Sequence, residues 1–203
     1  GFDVTSQDNL TENRRVPGGP VDPQIGVIRV DDSDGNAIAI IGNMAAHPTT
    51  VGGADKFSVS ADYPGFFYNA VEARAGEGCI AMFLNGAEGN QRPANPEKRV
   101  GWAHTEWVGN QLAAKVMETA AKITGGEAEL RVGRAAPELP RTLASSFMPS
   151  TTDLATLEIN DLLLTFVPGE PCVELGLELR RIALGRGFKA QFTVGLANDH
   201  LLY

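Results

Sequence analysis

The chain has 203 residues, of which 17 are basic and 25 are acidic, so its formal net charge at pH 7 is −8. Apolar residues make up 43% of the sequence and charged residues 21%, as in a globular protein built around one large core. The acidic balance excludes a general binder of nucleic-acid backbones, which needs a basic face. No apolar run reaches the ~18 residues that a membrane span requires.

The N-terminal part of the chain is predicted to be extended. Residues 1–23 are polar and rich in turn formers, and they show no helical period. Two strands are predicted next, over residues 25–30 and 37–45, with a hairpin turn at Asp34-Gly35 between them. The second strand does not alternate between apolar and polar residues, which indicates that both of its faces are covered.

Helices and strands alternate through the middle of the chain. The spacing of apolar residues predicts a helix from Asp62 to Gly76 and a longer one over residues 101–123. A short, continuous apolar strand is predicted between them at residues 79–84. An exposed strand is predicted after the second helix, at residues 128–135.

The last third of the sequence repeats this alternation. A second hairpin is predicted over residues 155–167, turning at Asn160-Asp161, followed by a helix over 171–184 and a strand over 189–196. The whole pattern predicts one α/β domain spanning residues 1–203, a layered domain with a mixed, mostly buried sheet flanked by helices. Cys79 and Cys172 lie in apolar surroundings and are predicted to be buried free thiols, although one disulfide remains open.

Polar residues are concentrated where predicted strands end, which is where α/β proteins place their functional groups. His47 follows the strand at 37–45, and Glu170 follows the strand at 162–167. Imidazole and carboxylate groups are both metal ligands. His47 could equally be a structural histidine and Glu170 a helix cap, and the spacing of two residues does not decide between these interpretations.

Two further loops carry candidate residues. Gly86 and Gly89 frame a tight loop whose N–H groups could face an anion, or could simply form a turn. Arg92, in the same loop, could pair with a carboxylate or phosphate or lie on the surface. Asp62 could orient a metal ligand or act as a base, although capping the following helix is its commoner role.

Several collinear strings resemble the neutral/alkaline ceramidase family, and bacterial ceramidase-like proteins in particular. They are, in order, NRR (13–15), GPVDPQIGVIRV (19–30), AAHPTT (45–50), SADYPG (60–65), FLNGAEGNQRP (83–93), VPGEP (167–171) and GLANDHLLY (195–203). The family contains zinc-dependent amidases that cleave the N-acyl bond of ceramide. The resemblance implies Zn²⁺ ligands at His47, Glu170 and Tyr203, and a contact between Arg14 and the substrate or reacting centre. His200 stands where relatives often have an aromatic residue.

The sequence departs from the family in two places. The family's first zinc histidine lies in an HTHSGP-like block upstream of the NRR string, and this chain has no such block. We therefore expect either that these residues are part of a larger catalytic domain, whose N-terminal part supplies the ligand, or that the metal site is incomplete. In the family's GDxSP block, Asn90 replaces the aspartate and Arg92 replaces the catalytic serine. Arginine is not a nucleophile at neutral pH.

These departures shape the expected function. The first expectation is a zinc-dependent hydrolase of an N-acyl amide in a lipid or another small molecule. Zinc-activated water would replace the serine, and Arg92 would polarise the oxyanion or hold a carboxylate or phosphate. Two alternatives stay open: a non-catalytic binding module that keeps the fold, and a metal-dependent hydrolase of a phosphate or carboxyl ester. The resemblance further implies a secreted or periplasmic protein.

Overall fold

A computed structural model of the chain describes residues 1–52, 55, 57–139, 150–199 and 201. The strands and helices in these parts are, in chain order, β1 (Phe2–Ser6), β2 (Thr11–Asn13), β3 (Gln24–Asp31), β4 (Ala37–Met44), α1 (Asp62–Ala75), β5 (Ile80–Asn85), β6 (Gln91–Pro93), α2 (Trp102–Ala120), β7 (Leu130–Ala135), β8 (Leu154–Ile159), β9 (Leu162–Phe166), α3 (Val173–Gly185) and β10 (Ala190–Val194). No helix in this part of the chain is long and apolar enough to cross a membrane.

The strands form two mixed four-stranded sheets and one small ladder. The first sheet has the order β1-β3-β4-β5, in which only β4 and β5 run parallel. The second has the order β10-β9-β8-β7, in which only β9 and β10 run parallel. β2 and β6 pair antiparallel in the separate ladder.

The helices cover the two sheets from outside. α1 and α2 pack against each other and against one face of the first sheet, where Phe67, Leu112 and Val116 are fully buried. Close approach of the two helices depends on Gly109, because a Cβ there would lie 2.5 Å from the Cβ of Phe66. α3 packs against β10 of the second sheet.

The two sheets face each other across a second apolar core. Phe192 of β10 is fully buried in this core with Leu162, Leu164 and Ile28. Asn43 of β4 crosses between the sheets, since its amide donates to the carbonyls of Leu84 and of Thr193, each at 2.9 Å. The four layers are therefore helices, sheet, sheet and helix.

The contact between the sheets should be sensitive to added volume at Gly26. A Cβ at this position would lie between 2.5 and 2.7 Å from three ring atoms of Phe192. Gly26→Ala is therefore expected to lower the free energy of unfolding by roughly 1–3 kcal/mol, as measured by urea denaturation. Gly126→Ala is the matched control, because nothing lies within 4 Å of its Cβ position. An equal, small effect of both substitutions would contradict the close contact.

The layered α/β architecture predicted from the sequence is confirmed, with two sheets in place of one. The two hairpins turn where predicted: Gly35 and Asn160 have φ values of 85° and 52°. The lead-in and the loop after β5 contain three short strands that were not predicted, β1, β2 and β6. The prediction that Cys172 is buried is wrong, because this residue is exposed at the N-terminal end of α3, whereas Cys79 is buried. Both cysteines are free thiols.

Candidate functional site

His47 lies three residues beyond the end of β4, in a loop held by α1. The loop is anchored on both sides of the imidazole. Tyr63 donates its hydroxyl hydrogen to the carbonyl of Ala46 at 2.6 Å, and Asp62 accepts hydrogen bonds from Thr50 and Val51. His47 is consequently buried and fixed in place.

Glu170 reaches the same point from the second sheet. Its loop leaves β9, and Nε2 of His47 lies 3.2 Å from Oε2 of Glu170. The pair forms no hydrogen bond, and within the described part of the chain Nε2 is buried without a hydrogen-bond partner. The expected convergence of these two residues is therefore present.

The separation of these two atoms fits a shared metal ion. Zinc binds nitrogen and oxygen at about 2.0–2.1 Å in a tetrahedron, which places neighbouring ligand atoms about 3.3 Å apart. Among the described residues, no group of three histidine, cysteine, aspartate or glutamate side chains is placed to hold a metal ion. His47 and Glu170 thus supply two donors of a suitable kind, and further ligands must come from other residue types or other parts of the protein.

The protonation of His47 also suits a ligand. Burial lowers the pKa of its imidazole, and the nearby charge of Arg14 lowers it further, while Glu170 and a hydrogen bond to the backbone of Gly89 raise it. The pKa stays below its usual range, so the ring is neutral at pH 7. Since Nε2 has no hydrogen-bond partner among the described residues, the bond to Gly89 is assigned to Nδ1, and such a bond orients a metal-binding histidine in the usual way.

The loop from Gly86 to Asn90 joins the two sides of the site. The Gly89 N–H donates to the carbonyl of Pro171 at 2.9 Å. A Cβ at Gly89 would collide with the carbonyl oxygen of Glu170, so only glycine permits this approach. The predicted tight turn at these glycines is therefore a contact surface for the Glu170 loop.

Asn90 serves as the cap of α3. Its Oδ1 accepts a hydrogen bond from the N–H of Val173 at 2.8 Å, and its Nδ2 donates to Glu174 at 2.9 Å. Glu170 stands before the helix, which begins at Val173. The interpretation of Glu170 as the cap of this helix is therefore not supported by the contacts, and Asn90 takes that role.

The remaining predicted residues lie in different surroundings. Arg14 is close enough to His47 to affect its pKa, and its N–H donates to the carbonyl of Asn90 at 2.8 Å. Asp62 is the first residue of α1 and accepts hydrogen bonds from the loop that follows His47, and its role in orienting a metal ligand stays a prediction. Arg92 points out of β6 and pairs with Glu12 at 2.7 Å, with 56% of its side chain exposed.

Tyr203 lies outside the described residues, as does His200. The chain leading to them runs along the Glu170 loop. Leu196 donates its N–H to Gly169 at 2.7 Å, and Leu201 donates to Pro168 at 3.1 Å. Ligation by Tyr203 stays a prediction.

Sequence reasoning missed Glu88. This residue is fully buried, and neither of its carboxyl oxygens has a hydrogen-bond partner in another described residue. Burial raises its pKa to about 8, with a smaller contribution from the charge of Glu170. The only signal in the sequence is an acidic residue within a loop of glycine and alanine, NGAEGN.

The comparisons with known proteins place this fold among ceramidases. No protein-family model matches the chain, and no curated protein matches it significantly. A solved neutral ceramidase from Pseudomonas aeruginosa superposes with a TM-score of 0.80 at 19% identity, covering 100% of this chain and 45% of that one. A structure described as a ceramidase complexed with C2 gives a TM-score of 0.80 at 17% identity, covering 100% of this chain and 47% of the other.

These likenesses confirm, at the level of the fold, the resemblance inferred from the sequence motifs. The chain spans about half the length of the two solved ceramidase chains, 45% and 47%. Its architecture matches that of part of these ceramidase chains.

Proposed function

We propose that this protein is a zinc-dependent hydrolase that cleaves an N-acyl amide bond, with a ceramide-like lipid as the substrate class. The observation that carries the proposal is the pair formed by Nε2 of His47 and Oε2 of Glu170, 3.2 Å apart. The ceramidase fold supports the choice of an amide bond and of a lipid.

The residues divide the work as follows. His47 would hold the metal through its neutral Nε2, oriented by the Gly89 backbone, and Glu170 would contribute a negative oxygen ligand. Bound zinc supplies Lewis acidity, which polarises a carbonyl and lowers the pKa of water. Arg14, whose positive charge acts on His47, would stabilise negative charge developing on the substrate oxygen.

Two further residues of this chain, Tyr203 and Arg92, would also take part. Tyr203 would be a further ligand, since the chain at Leu201 is bonded to the Glu170 loop. Another zinc ligand would come from outside residues 1–203, from an N-terminal part of the same protein. Arg92 would act only after releasing Glu12, to hold an anionic group of the substrate. The family resemblance supports a secreted or periplasmic location.

Metal analysis tests the proposal directly. The intact protein, purified without chelators, is expected to carry one zinc ion per chain and to hydrolyse N-acyl amides faster than phosphate or carboxyl esters. Excess chelator should abolish turnover, and added zinc should restore it, because the reacting carbonyl then regains its Lewis acid. Full turnover in chelator would overturn the proposal. A metal-free, undamaged preparation would favour a binding module that keeps the fold without catalysis.

A further inference from the structure

We infer that Glu88 is a positioning residue for the His47–Glu170 pair, acting through the shape of its buried side chain. The inference rests on the metal site proposed above. Glu88 acts on these ligands through its neighbour Gly89.

Gly89 contacts both of the segments that carry the proposed ligands. Its backbone bonds to the ring of His47, its N–H donates to Pro171 at 2.9 Å, and its Cα is packed against the carbonyl of Glu170. A displacement of Gly89 therefore changes the separation of the two ligand atoms. The side chain of Glu88, one residue earlier, fixes where Gly89 lies.

The Glu88 carboxyl packs against Gly195, in space that is open only because Gly195 has no side chain. A Cβ on Gly195 would lie 2.5 Å from Oε2 of Glu88 and 3.0 Å from Oε1. Gly195 itself is fixed at the end of β10, since its N–H donates to the carbonyl of Asn85 at 2.9 Å. The side chain of Glu88 thus packs between the Gly86–Asn90 loop and the segment that begins at Gly195 and continues toward Tyr203.

The surroundings of Glu88 favour a neutral side chain. No other described residue donates a hydrogen bond to either oxygen, and the negative Glu170 is close enough to disfavour a second charge. Glutamine has almost the same shape as a protonated glutamate. Aspartate keeps the carboxyl group, but its side chain is one methylene group shorter, so the carboxyl no longer reaches Gly195.

Two substitutions therefore separate shape from charge. Glu88→Gln is expected to keep the zinc affinity of the wild type, measured by competition with a chromophoric chelator. Glu88→Asp is expected to lower the affinity by about 10–100-fold, the usual cost of disturbing a group that orients a metal ligand. The visible spectrum of the cobalt-substituted protein should change in the same variant only.

Leu112→Ala is the control for a general loss of stability. Leu112 is fully buried in the α1–α2 core, so its truncation destabilises the fold by a few kcal/mol without touching the Gly86–Asn90 loop. This variant should keep both the zinc affinity and the cobalt spectrum. The opposite order for Glu88, with zinc lost in the glutamine variant and kept in the aspartate variant, would overturn the inference, as would unchanged affinity in both. Absence of zinc binding by the wild type would instead overturn the proposed function.

Discussion

Replacing His47 or Glu170 by glutamine is expected to lower kcat/KM for an N-acyl amide by about 10³-fold or more, equivalent to ~4 kcal/mol of transition-state stabilisation. The physical reason is the loss of a metal donor from a pair whose reactive atoms lie 3.2 Å apart. Each substitution removes the donor while keeping a side chain of similar size. The measurements are steady-state kinetics and zinc content on the same preparations.

His104→Gln is the matched control for this experiment. His104 is also a buried histidine, but its Nε2 lies 3.0 Å from the carbonyl of Ala94 and its ring stacks on Trp107. Losing it should affect stability and leave zinc content unchanged. If His47→Gln and Glu170→Gln retain both zinc and turnover, these residues do not form the centre.

The fold was predictable wherever a pattern is long and local. The apolar spacing in α2 and the turn residues Gly35 and Asn160 specify their elements within a few neighbouring positions. β2 and β6 are three residues each and depend on pairing with each other, so no local period identifies them. The same holds for β1, which becomes a strand only by pairing with β3.

The site was predictable in part, for a similar reason. The pairing of His47 with Glu170 followed from the resemblance of two motifs to a known family, and the fold brings the two side chains together. Residue spacing alone does not decide whether they are metal ligands or structural groups. The pairing of Arg92 with Glu12 needs the β2–β6 ladder, which the sequence did not reveal.

The burial of Glu88 could not be predicted from the sequence. Its burial arises from a contact with Gly195, a residue distant along the chain and packed on it only in the folded protein. A glutamate in a glycine-rich loop is ordinarily exposed. Only the folded structure shows that no other described residue donates a hydrogen bond to this carboxyl, and a consequence for stability follows from its burial.

The metal-free protein is expected to lose stability as pH rises from about 5 to about 8. The pKa of Glu88 is raised from 4.5 to about 8 in the folded state. Between these values the folded protein keeps a proton that the unfolded chain has released, so unfolding releases a proton and becomes easier at higher pH. The free energy of unfolding should fall by up to roughly 1.4 kcal/mol per pH unit, a few kcal/mol in total.

His47 contributes to the pH dependence of stability with the opposite sign, and mainly below pH 6.5. Its pKa is lowered from 6.5, so its contribution rises with pH and is complete above that value. Of the groups that face Glu88, Glu170 adds to the rise in the pKa of Glu88, and Tyr63 remains neutral because burial raises its own pKa well above 10.0. The interval between pH 6.5 and 8 therefore isolates Glu88.

Urea denaturation in the presence of chelator, at several pH values in this interval, measures the effect. Wild-type protein should become progressively less stable, whereas Glu88→Gln should show no such slope, because its side chain carries no proton to release. The two proteins should differ least at pH 5, where Glu88 is protonated and closest to glutamine in charge and shape. A wild-type stability that stays level from pH 6.5 to 8, or an equal slope in Glu88→Gln, would show that this carboxyl is not buried as a neutral acid.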